Sequence, residues 1–162
     1  MTQEDKELLL KDLSARLPYD TIISVNDGKY RKDVKLHPHY IFDWDADRWD
    51  AKPYLRHPSD MTEEEVKNLV KIRISRYGSS SDYNNIISID RISTFDGNSW
   101  SAWLHFKTEG GDIRQTCFIV GRVNWETTLA EIDYLNSIHV DYRDMIKNGL
   151  AYRAPEGMYD IK

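Results

Sequence analysis

Three aspartates alternate through Asp43-Trp44-Asp45-Ala46-Asp47, the pattern with which a calcium-binding loop opens. The match ends at the sixth position, where Arg48 stands in place of glycine, and at the twelfth, where Tyr54 stands in place of a bidentate glutamate. A solvated acidic loop without calcium is the expectation. His37-Pro38-His39 offers two imidazoles, but no Cys or His follows at the spacing of a zinc site. His57, His105 and His139 stand singly. No nucleophile elbow, phosphate loop, dinucleotide fingerprint or HExxH motif occurs, and Gly110-Gly111 reads as a hairpin turn that does not lead into a helix. The motifs therefore assign no catalytic residue, metal or cofactor. A small hydrolase or transferase site gathered from dispersed His, Asp and Tyr residues is the alternative they leave open.

Recognition chemistry is better represented. Asp141-Tyr142-Arg143-Asp144 sets four hydrogen-bonding side chains at the start of an expected short helix. Arg143 suits a carboxylate or phosphate, and Tyr142 suits an amphipathic anchor; the same residues also read as a helix cap with an Arg–Asp pair. The segment 43–60 is aromatic and proline-bearing and is expected to form an ordered loop. Trp44, Trp49, Tyr54 and Arg56 from this loop, with Tyr142 and Arg143, make up one candidate patch for a protein partner, provided the two segments adjoin.

The elements that must position these residues read as follows. Leu9, Leu13 and Leu17 recur at helical spacing over residues 2–17, behind a Thr2–Asp5 capping box, and Pro18 ends the helix. Thr21–Asn26 and Lys29–Leu36 form a hairpin around Asn26-Asp27-Gly28, and Pro38 interrupts the second strand or places it at an edge. A second helix opens at Thr62 with a capping box to Glu65 and ends near Gly78. Residues 86–95, 100–108 and 112–120 read as a three-strand meander, with Trp100 and Leu104 in the core and Trp103 on a second, partly covered face. A third helix carries Leu129, Ile132, Leu135 and Ile138 behind Asn124 or Thr127, and a short fourth covers Tyr142–Asn148, closed by Gly149. The expected fold is a single α+β domain, an antiparallel sheet with helices packed mainly on one face.

At 162 residues the chain is long enough to bury a core without staples. With 22 basic against 27 acidic residues the net charge is −5, which argues against a sequence-independent nucleic-acid binder. Cys117 is the one cysteine, so no internal disulfide can form; mid-strand, it reads as a small buried hydrophobe in a reducing compartment. No apolar run reaches membrane-spanning length and residues 1–6 are charged, so a soluble cytoplasmic protein is expected.

Several blocks carry a resemblance. Residues 6–19, Pro53-Tyr54-Leu55-Arg56 with Met61-Thr62-Glu63-Glu64-Glu65, and Asp141-Tyr142-Arg143 with Gly149-Leu150-Ala151 and Ala154-Pro155-Glu156-Gly157-Met158-Tyr159 are similar to an uncharacterised family of short proteins from gut anaerobic bacteria. The chain departs from that family's pattern at Asp144, where glycine is usual, and at His57, where proline is usual. The resemblance implies a bacterial setting associated with mobile elements or prophage, and no catalytic residues. The expected function is a non-enzymatic interaction or regulatory module; an acidic immunity or anti-defence protein that occupies a basic site is a further alternative.

Overall fold

The computed structural model describes residues 1–42, 50–75, 86–94, 100–107, 110–120 and 127–160. The chain divides into two compact units, one formed by 1–57 with 135–162 and the other by 58–134.

The first unit is built on helix α1, Gln3–Arg16. Its N-terminus carries the expected capping box: the Asp5 amide donates to Thr2 Oγ1 and the Thr2 amide to the Asp5 carboxylate, satisfying two orphan donors of the first turn. The stripe Leu9, Asp12, Leu13, Arg16 recurs at i, i+3, i+4 and i+7 and is buried. A 3-10 turn, Leu17–Tyr19, follows and leads into strand β1, Ile22–Asn26. Strand β2, Arg31–Lys35, returns antiparallel through a turn in which Asn26 and Asp27 side chains accept from the amides of Gly28, Lys29 and Tyr30. Gly28 takes φ +85°, which explains its place there.

β2 lies at the sheet edge, in keeping with Pro38, which then takes the first position of a five-residue helix, α2, Pro38–Phe42. The expected loop over 43–60 is corrected in its second half. Asp50–Leu55 is strand β3, pairing antiparallel with β1 and, at Tyr54 and Leu55, parallel with the two-residue strand β7, Tyr152–Arg153. The sheet order is therefore β2-β1-β3-β7 and the sheet is mixed, not purely antiparallel. Alternation decides the strand: Ala51 and Leu55 face the core while Lys52 is half-exposed. Pro53 precedes the β7 pairing, where β3 has a neighbour on one side only, so its missing donor is tolerated. Leu9, Leu13, Ile23, Val25, Leu55 and Met145 form the centre of this unit's core.

The second unit contains helix α3, Glu63–Ser75, whose Thr62–Glu65 capping box forms as expected. Strands β4, Ile86–Thr94, β5, Trp100–Lys107, and β6, Ile113–Val120, pair antiparallel in that order. α3 packs near β5 and β6, and Val66, Leu69, Val70, Ala102 and Leu104 are buried. The Asp96-Gly97-Asn98 turn and the side chain of Trp100 lie outside the described residues. Helix α4, Leu129–Ser137, begins at neither Asn124 nor Thr127. Thr128 is its cap, accepting from the Glu131 amide while Glu131 accepts from the Thr128 amide. Glu131 also pairs with Arg73 of α3, and both side chains are buried.

Leu104→Ala removes a fully buried side chain from β5 and is expected to lower stability by about 3 kcal/mol, read as a fall in the urea midpoint. An unchanged midpoint removes β5 from the core.

Candidate functional site

Of the expected patch, Trp44 and Trp49 lie outside the described residues. Tyr54 and Tyr142 are buried, and Arg56 and Arg143 are half-buried. Tyr54 sits on β3 beneath Arg31, which donates from Nε to Ser24 Oγ at 2.7 Å and from Nη2 to the Tyr54 hydroxyl at 3.0 Å. The Arg31 guanidinium also lies 4.3 Å from the centre of the Tyr152 ring. Arg56 instead joins the segment after α4: its Nη1 donates to the Ile138 carbonyl, and its amide and carbonyl pair with His139 and Asp141.

Tyr142 and Arg143 belong to a buried polar network with α1. The Asp12 carboxylate accepts from Arg16 Nε at 2.7 Å through one oxygen and from Arg143 Nη1 at 2.8 Å through the other. Arg16 Nη2 donates to the Val140 carbonyl at 2.9 Å, and its Nη1 has no hydrogen-bond partner among the described residues. The Tyr142 ring lies 5.5 Å from the Arg16 guanidinium and 4.8 Å from that of Arg143, and its hydroxyl donates to Asn136. Asp141 caps as expected, but what it caps is a run of turns, not the expected helix over Tyr142–Asn148. Its carboxylate accepts from the amides of Arg143, Met145 and Ile146, and Gly149, at φ +70°, closes the run. Burial holds the Asp141 carboxyl above the usual carboxylate range against those three donors.

His139 completes the network. Its Nδ1 is 3.2 Å from the Thr21 hydroxyl, and its ring stacks on Tyr159 with centroids 3.7 Å apart. The Tyr159 hydroxyl accepts from the Ile22 amide and donates to the Tyr54 carbonyl, so the turn-like tail is anchored to the sheet. Burial, with Arg16 and then Arg56 nearby, lowers the His139 pKa to about 4, and burial pushes Tyr159 up to about 12. The His139–Thr21 pair has the reach of a base and a nucleophile. Thr21, however, is fully buried and also donates to the Arg16 carbonyl, so the pair joins segments without meeting substrate. Single polar residues in the sequence carry no sign of this convergence; the Asp12–Arg16 spacing of i, i+4 is the one local signal.

Outward chemistry is found on the β4–β6 sheet. Alternation from buried Ala102 and Leu104 turns Trp103, His105 and Lys107 to the other face, opposite Cys117, Gln115 and Ile113 of β6. Trp103 is 39% exposed and Ile113 68% exposed. Cys117 is exposed as well, which corrects the expectation of a buried thiol: it shares the open face with Trp103. β6, like β4, is an outer strand of this sheet among the described residues. No group of three or more His, Cys, Asp or Glu side chains converges as metal ligands among the described residues, and no helix among them is long and apolar enough to cross a membrane.

Asp12→Ala strands the buried Arg16 charge and is expected to cost about 3–5 kcal/mol in urea unfolding; a loss below about 1 kcal/mol would make the ion pairs incidental. His139 gives a pH signature of known sign. Its ordinary pKa is 6.5 and its folded value about 4, so between these limits the unfolded chain binds a proton that the folded chain does not. Its contribution is fully present above pH 6.5, declines as pH falls towards 4, and is constant below. His139→Asn keeps a residue type tolerant of the local φ of +58°, and the wild-type-minus-variant stability difference is expected to fall across that window. Asp141 remains in both proteins, so its opposite dependence cancels in the difference. A flat difference curve contradicts the buried neutral ring.

No protein-family model, curated protein or solved structure matches this chain, so the reading of both faces rests on their own geometry.

Proposed function

We propose that the protein is a non-enzymatic interaction module whose partner docks on the open face and outer strand of the β4–β6 sheet. The observation that carries this reading is the exposure of Trp103 and Ile113 on one face of an otherwise regular ladder. Charge identifies the occupant. Lys107 stands on that face and Arg114 on the opposite one, so the strip along β5 and β6 carries two cations and no aspartate or glutamate, while Asp90 of β4 holds the register position of Trp103. An extended protein segment that alternates apolar and acidic side chains complements that strip and can add to β6 by strand pairing. The enzymatic alternative has less support, because the His–hydroxyl pair that could serve it is enclosed by the fold.

Cys117 provides a probe within the surface, and as the one cysteine it labels uniquely. Random peptides selected on the protein are expected to converge on an apolar–acidic alternation and to protect Cys117 from maleimide. Trp103→Ala and Lys107→Glu should each abolish capture while leaving the circular dichroism spectrum unchanged. A basic consensus, or peptides that bind both variants as tightly as the parent, overturns the reading.

A further inference from the structure

Just beyond the edge strand β2 of the first unit, the exposed residues His37 and His39 bring their rings together. A hydrogen bond joins their Nδ1 atoms at 2.8 Å, the His39 amide donates to His37 Nδ1 at 3.5 Å, and the ring centroids lie 4.8 Å apart with planes tilted by 43°. The backbone produces this meeting. Pro38 bars His37 from helical geometry and starts α2 directly after it, and the Tyr40 amide closes a turn on the His37 carbonyl at 2.9 Å. The His39 ring also lies against that of Tyr40, with centroids 3.9 Å apart.

We propose that this pair is a bidentate site for a divalent transition-metal ion that favours square-planar nitrogen coordination, copper(II) foremost. Imidazole–metal bonds of about 2.0–2.1 Å at a right angle hold their nitrogens about 2.8–3.0 Å apart, whereas a tetrahedral angle sets them about 3.3–3.4 Å apart. The hydrogen bond already holds the two nitrogens near the first spacing, and an ion would replace the shared proton once each ring carries its own proton on Nε2. Both side chains are exposed, so small turns about their own bonds bring the two lone pairs onto an ion beside the line joining the nitrogens. Copper(II) heads the affinity order of the divalent first-row ions for such donors, and the remaining corners stay open to water or an added oxygen or nitrogen ligand. The ligands must be unprotonated, so binding weakens on acidification.

The test titrates the full chain, in a Cys117→Ser background that removes thiol chemistry, with copper(II) followed by calorimetry and electron paramagnetic resonance. One equivalent is expected, with a tetragonal spectrum showing coupling to two imidazole nitrogens, and zinc(II) should bind more weakly. His37→Ala and His39→Ala should each lose the site, and His57→Ala should retain it. Both rings are exposed, so circular dichroism is expected to show unchanged folds. No binding, stoichiometry retained in either single variant, or imidazole coupling that survives in both overturns the proposal. Peptide capture by the β4–β6 face involves neither histidine, so failure here leaves that reading untouched.

Discussion

The carboxylate of Asp12 sits between two guanidiniums, and the first unit is arranged around that fact. Arg16 comes from the same face of α1, four residues on, whereas Arg143 arrives from a segment 131 residues away. A fully buried charge is tolerated only with close opposite charges and satisfied hydrogen bonds. One carboxylate therefore dictates that the chain after α4 pass directly over α1. Arg16 adds a second tie through the Val140 carbonyl, and the Tyr142 ring fills the space beside both cations. Arg16 Nη1 finds no partner among the described residues, and an apolar replacement of such a buried charged group is often the more stable choice. The arrangement's gain is specificity of path: few alternative courses for residues 139–146 would meet the same charges.

The same segment has little regular structure, so its backbone groups need other partners. Asp141 takes three amides, and Arg56 exchanges hydrogen bonds with the main chain of 139 and 141 as an isolated parallel bridge. The two-residue β7 then continues the parallel course alongside β3, and Tyr159 returns its hydroxyl to Tyr54 and Ile22. β3 is thus flanked on one side by β1 and on the other by a strand too short to persist alone. Its stability is borrowed from the side-chain anchors around it. The uncommon φ of His139 belongs here as well, because a left-handed residue turns the chain from α4 towards the parallel course.

How much of this was legible in the sequence depended on whether the signal was local. The Thr2–Asp5 and Thr62–Glu65 capping boxes, the Asn26-Asp27-Gly28 turn and the left-handed Gly149 each complete their geometry within a few residues, and each was read correctly. β3 was missed because Pro53 and the surrounding aromatics resemble a loop, and only pairing with β1 and β7 makes the segment a strand. The turns after Asp141 were read as a helix because a cap and a closing glycine were both present. The Asp141 carboxylate reaches as far as Ile146, and the capped amides belong to turns. Cys117 was expected inside because cysteine is a small apolar residue. Its exposure follows from register with Trp103, which is a property of two strands and not of one.

The two units use polar residues in opposite ways. In the first, the residue types that carry chemistry elsewhere, His139, Asp12, Asp141, Arg16 and Tyr159, have their donors and acceptors directed at one another and at the backbone. Such a network rigidifies, and a group already committed to a buried partner must break that bond before it can serve a substrate. In the second, the sheet buries one face under α3 and leaves on the other Trp103 and Ile113, with Lys107, His105 and Cys117 beside them. The two apolar side chains would gain by losing contact with water, which is the physical basis of the proposed association. The association proposed for this chain therefore rests on the distribution of uncovered apolar surface more than on the distribution of reactive groups.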